Sequence, residues 1–211
     1  MFDLDGTLVD TMGGFADLAA EVMVAHHGAE LVAARRRYLE TSGIPFCQQL
    51  EVIHPGHTSN RDASDEFERR KLAVAESTAM DADTLRGLHG LRELGLGLVV
   101  SSNTGQTVVD EFVTREGFAF DLALGFDPAT DLAKGEPHVV RVCARLGVAR
   151  EHILFVGDSL KDGDLAAASG VAFVGRLGTF VAEDFRRLDP ALRTIANVVE
   201  LPALLATIRA A

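Results

Sequence analysis

From Leu85 onward the sequence alternates apolar patterns of helical period with short runs that are apolar on both faces. Few architectures accept that alternation: it is the signature of a parallel sheet covered by helices on two sides. Leu85, Leu88, Leu91 and Leu94 share one helical face that stops at Gly95. Residues 96–100 then read as a buried strand, Val108, Val109, Phe112 and Val113 as the next helical stripe, and residues 122–126 as a second strand. A helix over 139–146 ended by Gly147, a strand over 153–156, a helix over 162–169 and a strand over 171–174 continue the series. Residues 197–199 are expected to form the last strand before a helix from about Pro202.

The stretch from Thr11 to Met80 behaves differently, with long helical patterns and no convincing strand. Phe15, Leu18, Ala19 and Val22 make one amphipathic face, and residues 67–75 suggest another helix. The expected organisation is therefore an α/β core formed by residues 1–10 and 81–211, with a helical insertion at 11–80. A chain of 211 residues suits a core with a modest insertion. Twenty Lys and Arg against 31 Asp and Glu give a net charge of -11, which argues against a nucleic-acid or membrane-surface binder, because a polyanion meets a repulsive field. Cys47 and Cys143 are too few for a disulfide scaffold and lack zinc-like spacing, so both are expected to be packing residues in a reducing compartment. The acids at Asp3 and Asp5 stand where a secretory signal would be basic and then apolar. No apolar run approaches the roughly 18 residues of a membrane span, and a cytoplasmic location is expected.

The most informative segment is the first, Phe2-Asp3-Leu4-Asp5-Gly6-Thr7-Leu8-Val9-Asp10. Two carboxylates one residue apart at the end of an apolar strand lie at the carboxyl edge, where open α/β sheets bind ligands. Such a pair can hold a hard cation and divide the work of nucleophile and general acid. Three later segments fall at the same edge: Val99-Val100-Ser101-Ser102-Asn103 ends a strand in hydroxyls, Lys134-Gly135-Glu136-Pro137 opens a helix, and Gly157-Asp158-Ser159-Leu160-Lys161-Asp162 ends another strand in acids.

With DxDGTLxD and GDSxxD in place and all four motifs in order, the sequence resembles the haloacid dehalogenase-like hydrolase superfamily. The insertion after the first motif resembles the small helical cap of its phosphoglycolate phosphatase and β-phosphoglucomutase branch. The resemblance implies a doubly wound, Rossmann-like parallel-sheet core with a helical cap inserted after the first strand. It implies that Asp3 attacks phosphorus and becomes an aspartyl phosphate, while Asp5 protonates the leaving alcohol and then activates water. Mg²⁺ is implied as cofactor, held by Asp3, the main-chain carbonyl of Asp5 and Asp158, with Asp162 supporting it from outside or through water. Ser101 is expected to bond the phosphoryl group, with Ser102 as the alternative hydroxyl and the N–H groups of Ser102 and Asn103 nearby. Lys134 is expected to neutralise the nucleophile and the phosphoryl oxygens.

The expected activity is hydrolysis of a small organic phosphomonoester. A sugar-phosphate mutase of the same superfamily, or a non-enzymatic phospho-accepting or binding protein, is the alternative. Specificity is expected from the cap loop at residues 41–49, through Ser42, Gly43, Phe46 and Gln48, because the motifs see only a phosphoryl group. Arg35, Arg36 and Arg37 are consecutive and do not share one helix face, so a solvated role is expected. His54 and His57, with no further His or Cys nearby in sequence, read as a surface loop. Two departures from the family stand out. Gly135 replaces the first proline of Lys-Pro-x-Pro, which is expected to make the loop more mobile. Only two residues precede Asp3, so further residues upstream of Met1 are expected, with a charged amino terminus close to the nucleophile otherwise.

Overall fold

The computed structural model describes residues 1–209. The chain divides into two compact units, residues 1–9 with 79–211, and residues 10–78. The first unit carries α5 (Ala82–Glu93), β1 (Val99–Gly105), α6 (Gln106–Glu116), β2 (Leu122–Phe126), α7 (Glu136–Leu146), β3 (Leu154–Gly157), α8 (Leu160–Ala168), β4 (Ala172–Arg176), α9 (Ala182–Leu188), β5 (Arg193–Ile195) and α10 (Leu201–Arg209). The second is built from α1 (Met12–His27), α2 (Leu31–Glu40), α3 (Phe46–Ile53) and α4 (Asn60–Ser77).

All strand pairs are parallel: β1 with β2, β3 with β4, and β4 with β5. Residues 1–3 join the two groups, for Phe2 bridges Val100 of β1 on one side and Val156 of β3 on the other. Phe2 N–H donates to Val99 O, Ser101 N–H to Phe2 O, Val156 N–H to Met1 O and Asp3 N–H to Val156 O. The spatial order is therefore β2, β1, the first segment, β3, β4, β5, with the first segment at the centre. The Met1 nitrogen donates to Leu154 O at 2.8 Å.

Side chains alternate across this sheet as the two-residue strand period requires. Phe2, Val100, Val156, Val174 and Ile195 face a cluster with Leu88, Leu91, Val109, Phe112 and Leu201 from α5, α6 and α10. Val99, Leu124 and Phe155 face the other way, against Val139, Val142 and Ala166 of α7 and α8. The sheet is doubly wound, as the apolar runs predict. Burying Phe2 alone contributes about 1.5–3 kcal/mol.

Two strand expectations shift. Pairing at β1 begins at Val99 and runs on to Gly105 rather than spanning 96–100. The last strand is Arg193–Ile195, and Val198–Glu200 is a single 3-10 turn instead of a strand. Asn197 accepts the Val199 N–H while Glu200 accepts from Ala196 and Asn197, and these local side-chain bonds curl the backbone away from the sheet.

In the helical unit, Phe15, Ala19, Val22 and Met23 of α1 pack against Tyr38, Phe46, Leu50 and Phe67. Arg35 pairs with Asp17, and Arg36 and Arg37 with Glu40, at the surface, where such pairs contribute little. His54 and His57 lie in the loop between α3 and α4 as expected, with His57 exposed, and His27 of α1 stacks on His54 at 4.3 Å between centroids, with His57 4.7 Å away. Buried Asn60 gives its amide N–H groups to Glu51 and His54 O, so its oxygen accepts from His27 Nε2. His27 was invisible as a partner because only the packing of α1 on α4 and the loop before it brings it there.

Burial lowers the pKa of both His27 and His54, and His57 adds to both shifts; Asn60 opposes the shift at His27, and Arg37 adds at His54. The unfolded chain therefore takes up protons before the folded one as pH falls through the ordinary histidine range near 6.5, so stability is lost in that direction. Tyr38 is the single tyrosine in a chain without tryptophan and reports on this unit. Urea unfolding followed by tyrosine fluorescence should show a midpoint that falls between about pH 7 and pH 5, and His54→Gln should flatten that dependence.

Candidate active site

The site begins where the first segment leaves the sheet. Asp3 is buried, and its Oδ1 accepts the Leu4 N–H at 2.7 Å. The N–H groups of Thr7, Leu8 and Val9 then turn back onto Leu4 O, coiling residues 4–9 directly after the carboxylate. Asp5, half-exposed, accepts from Thr104 Oγ1 at 2.8 Å. Thr104 lies just past the hydroxyl run read from the sequence, and only the extension of β1 to Gly105 brings it to Asp5.

At the neighbouring strand end, Ser159 caps α8 and forms a reciprocal box with Asp162: Asp162 N–H donates to Ser159 Oγ, and Ser159 N–H and Oγ–H donate to Asp162 Oδ2. The other oxygen of Asp162 takes Lys134 Nζ at 2.9 Å, and the same ammonium lies 2.8 Å from Asp3 Oδ1. Asp158 completes the group and accepts from Thr179 Oγ1. Among the described residues, Asp3, Asp158 and Asp162 are the one set of three whose ligand atoms lie within 4.8 Å of one another.

Three buried carboxylates gather around one ammonium that pairs with two of them, Asp3 and Asp162, and their electrostatics follow. Burial raises the Asp3 pKa well above the ordinary carboxylate range; Lys134 opposes the shift, and Asp162 and Asp158 add to it. Burial and Asp162 push Asp158 up to about 7 against the Thr179 hydrogen bond. Burial disfavours the charge on Lys134, but Asp162 and Asp3 overcome this and hold its pKa above the ordinary range. An all-oxygen donor set with surplus negative charge in a desolvated place fits a hard divalent cation.

Ser101 is not placed where the expectation put it. Its Oγ is 2.8 Å from Nδ1 of buried His138, inside the core, which commits the hydroxyl away from the carboxylates. Ser102, the next residue on the alternating strand, points to the opposite face and accepts from Thr104 N–H. Asn103 Oδ1 accepts the Lys134 N–H at 3.2 Å. Gly135 has φ 101° and ψ -137°, a backbone closed to proline, which explains the departure from Lys-Pro-x-Pro at this position. The loop is held by bonds to the Lys134 main chain and side chain rather than left slack.

In the helical unit, Phe46 is buried among Tyr38 and Phe67, 4.2 Å from the Phe67 ring, and is part of the unit's core. The period-3.6 reading could have shown this, since Phe46 and Leu50 stand four apart on α3. Gly43 has a φ of 95°, Ser42 is buried with no partner for its hydroxyl, and Gln48 is exposed. Gln49 fastens the turn through Thr41 Oγ1 and Ile44 O. Cys47 is exposed rather than packed, and both cysteines are free thiols.

Two substitutions test this packing. A Cβ on Gly157 would fall 2.6 Å from Asp162 Oδ2 and 2.7 Å from Asp162 Cβ, so Gly157→Ala should push α8 from the strand end. A loss of about 1–3 kcal/mol in urea unfolding is expected. Phe46→Ala should cost about 3–5 kcal/mol in the tyrosine-monitored transition, while the relative rates on different esters stay unchanged.

The model of the haloacid dehalogenase-like hydrolase family matches residues 1–176. The chain is 32% identical over 192 residues to a phosphoglycolate phosphatase of Neisseria gonorrhoeae, covering 82% of this chain and 77% of that protein. It is 31% identical over 208 residues to a phosphoglycolate phosphatase of Escherichia coli, covering 82% and 79%. A crystal structure of a hydrolase from Pseudomonas syringae superposes with a TM-score of 0.79 over 98% of this chain and 96% of that one, at 18% identity, and shares its fold. A sheet with acids at its central strand end, a match over most of the length and relatives at this identity agree: the chain belongs to the haloacid dehalogenase-like hydrolase family.

Proposed function

We propose that the protein is a magnesium-dependent phosphatase that hydrolyses a small organic phosphomonoester through an aspartyl phosphate on Asp3. The observation that carries this reading is the buried Lys134 ammonium placed between Asp3 and Asp162, with Asp158 alongside. A carboxylate intended as a nucleophile must stay ionised despite desolvation, and a point charge at 2.8 Å favours that form.

In the first step an Asp3 oxygen forms a bond to phosphorus, the ester P–O bond breaks, and Asp5 gives its proton to the departing alkoxide. In the second, Asp5 takes a proton from water, the water oxygen bonds phosphorus, and the bond to Asp3 breaks to release inorganic phosphate. Thr104, donating to Asp5 Oδ2, orients that carboxyl group. Ser102, with the main-chain N–H of Asn103, takes the phosphoryl-binding role, since the Ser101 hydroxyl is engaged by His138. Asp3, Asp158 and the main-chain carbonyl of Asp5 would hold Mg²⁺, with Asp162 supporting it from behind through its tie to Lys134. When bound, the ion supplies neutralisation of the charge on the phosphoryl oxygens.

The relatives named phosphoglycolate phosphatase favour hydrolysis over phosphoryl transfer between sugar positions, and make phosphoglycolate the first ester to assay. Residues 10–78, including Ser42, Gly43 and Gln48, are proposed as the cap that selects the ester.

Asp3 and Asp5 should fail differently. Asp3→Asn should form no phosphoenzyme with any substrate. Asp5→Asn should lose about 10²–10⁴-fold in turnover but still accept phosphate from an aryl phosphate, whose leaving group needs little protonation. Intact-mass and peptide mass spectrometry after a short incubation should find phosphate on Asp3 in the Asp5 variant alone. Turnover by Asp3→Asn, or phosphate on another residue, would falsify the assignment.

A further inference from the structure

His138 is fully buried four residues after Lys134, in the first turn of α7, and both its ring nitrogens are engaged. Nε2 lies 3.2 Å from Gly125 O and Nδ1 lies 2.8 Å from Ser101 Oγ. A main-chain carbonyl only accepts, so Nε2 carries the hydrogen; in the neutral ring Nδ1 then offers its lone pair to the Ser101 hydroxyl. Burial pushes this imidazole down to about 4, with the Lys134 charge adding to the shift, so the ring is neutral near pH 7 and the two bonds keep those directions.

The partners make this more than a satisfied core histidine. Ser101 belongs to β1, immediately before Ser102 and Asn103. Gly125 belongs to β2, and its N–H is fastened in turn by Gln106 at the start of α6. His138 therefore ties the first turn of α7 to two adjacent strands at once. Val139 and Val142 also seat α7, but apolar packing is non-directional and leaves a helix free to slide by fractions of an ångström. Lys134 needs finer placement: its N–H reaches Asn103 and its ammonium must reach Asp3 and Asp162 together. Between Lys134 and the helix stands Gly135, in a backbone conformation (φ 101°) that glycine adopts most readily.

We propose that His138 is a positioning residue that sets the reach of Lys134 by bonding Ser101 and Gly125 simultaneously. This rests on the reading above that Lys134 serves the phosphoryl site. His138 touches no reacting atom, and its effect on turnover passes through Lys134.

A double-mutant cycle on kcat/KM tests this, with p-nitrophenyl phosphate and Mg²⁺ as probe. His138→Phe keeps a ring in the core and removes both bonds, and should lower kcat/KM by about 10–100-fold, the usual range for residues that orient a reacting group. His138→Gln, which keeps a donor for Gly125 O, should recover part of that loss. In a Lys134→Ala background His138→Phe should cost less than about 2-fold, because the residue it positions is gone. The same factor in both backgrounds overturns the proposal and leaves His138 a structural residue.

A second measurement decides the matter if Lys134→Ala turnover falls below detection or if the Phe variant does not fold. The chain has three lysines, Lys71, Lys134 and Lys161. In protein labelled with ¹⁵N-lysine, the Lys134 ammonium should give a separate, slowly exchanging signal, assigned by its loss in Lys134→Arg. His138→Gln should shift or broaden it while Lys71 and Lys161 stay in place. An unchanged Lys134 signal in folded His138→Gln overturns the proposal. Wild-type turnover by Lys134→Ala is a different failure: it overturns the site reading, while the lysine spectrum still reports whether His138 places the ammonium.

Discussion

The Lys134 ammonium, held between Asp3 and Asp162, is the contact on which the site depends. Burying carboxylates without compensation is costly, and here three of them, Asp3, Asp158 and Asp162, converge in a desolvated place. Each arrives from a different consequence of the fold: Asp3 from the central segment, Asp158 from the end of β3, Asp162 from the first turn of α8. One cation on the loop before α7 makes that convergence tolerable and leaves a surplus of negative charge and oxygen donors. That surplus suits a divalent ion, and the ion suits phosphoryl chemistry.

The sheet makes the convergence possible. Because every strand is parallel, all the strand ends that carry polar residues lie on one edge, and because residues 1–3 sit between β1 and β3, the first carboxylate lies next to both. Both faces must then be covered, which is why Phe2, Val100 and Val156 alternate with Met1, Val99 and Phe155. The same alternation decides between two adjacent serines: Ser101 falls on the face that meets His138 and is absorbed into the core, and Ser102 falls on the other.

Local backbone chemistry fixes the remaining distances. Gly157 allows Asp162 to lie against the strand end, and Ser159 and Asp162 cap α8 reciprocally, so one carboxylate both starts a helix and holds the site lysine. The helical unit follows separate rules. Phe46 fills its aromatic core with Tyr38 and Phe67, while a histidine stack closes one end around Asn60.

Repeat spacing and motif identity were legible without coordinates. The alternation of helices and strands after Leu85, the helical stretch from Thr11 to Met80, the glycines following α5 and α7, and the acids at 3, 5, 158 and 162 follow from periodicities and residue chemistry that act within a few residues. What those rules could not supply is anything set by partners distant in sequence. Which serine faces inward, that His27 stacks on His54 and that Thr104 reaches Asp5 all depend on which elements pack together. The turn at 197–200 was missed for the opposite reason, since the two-residue apolar run Val198-Val199 is outweighed by the hydrogen bonds of Asn197 and Glu200 beside it. The sequence by itself determined the kind of sheet and the chemistry gathered at its edge, because hydrophobic period and residue type are local. The tertiary structure alone decided which side chains meet there, because a strand's inward face, and with it the fate of each hydroxyl and imidazole, is settled by neighbours far along the chain.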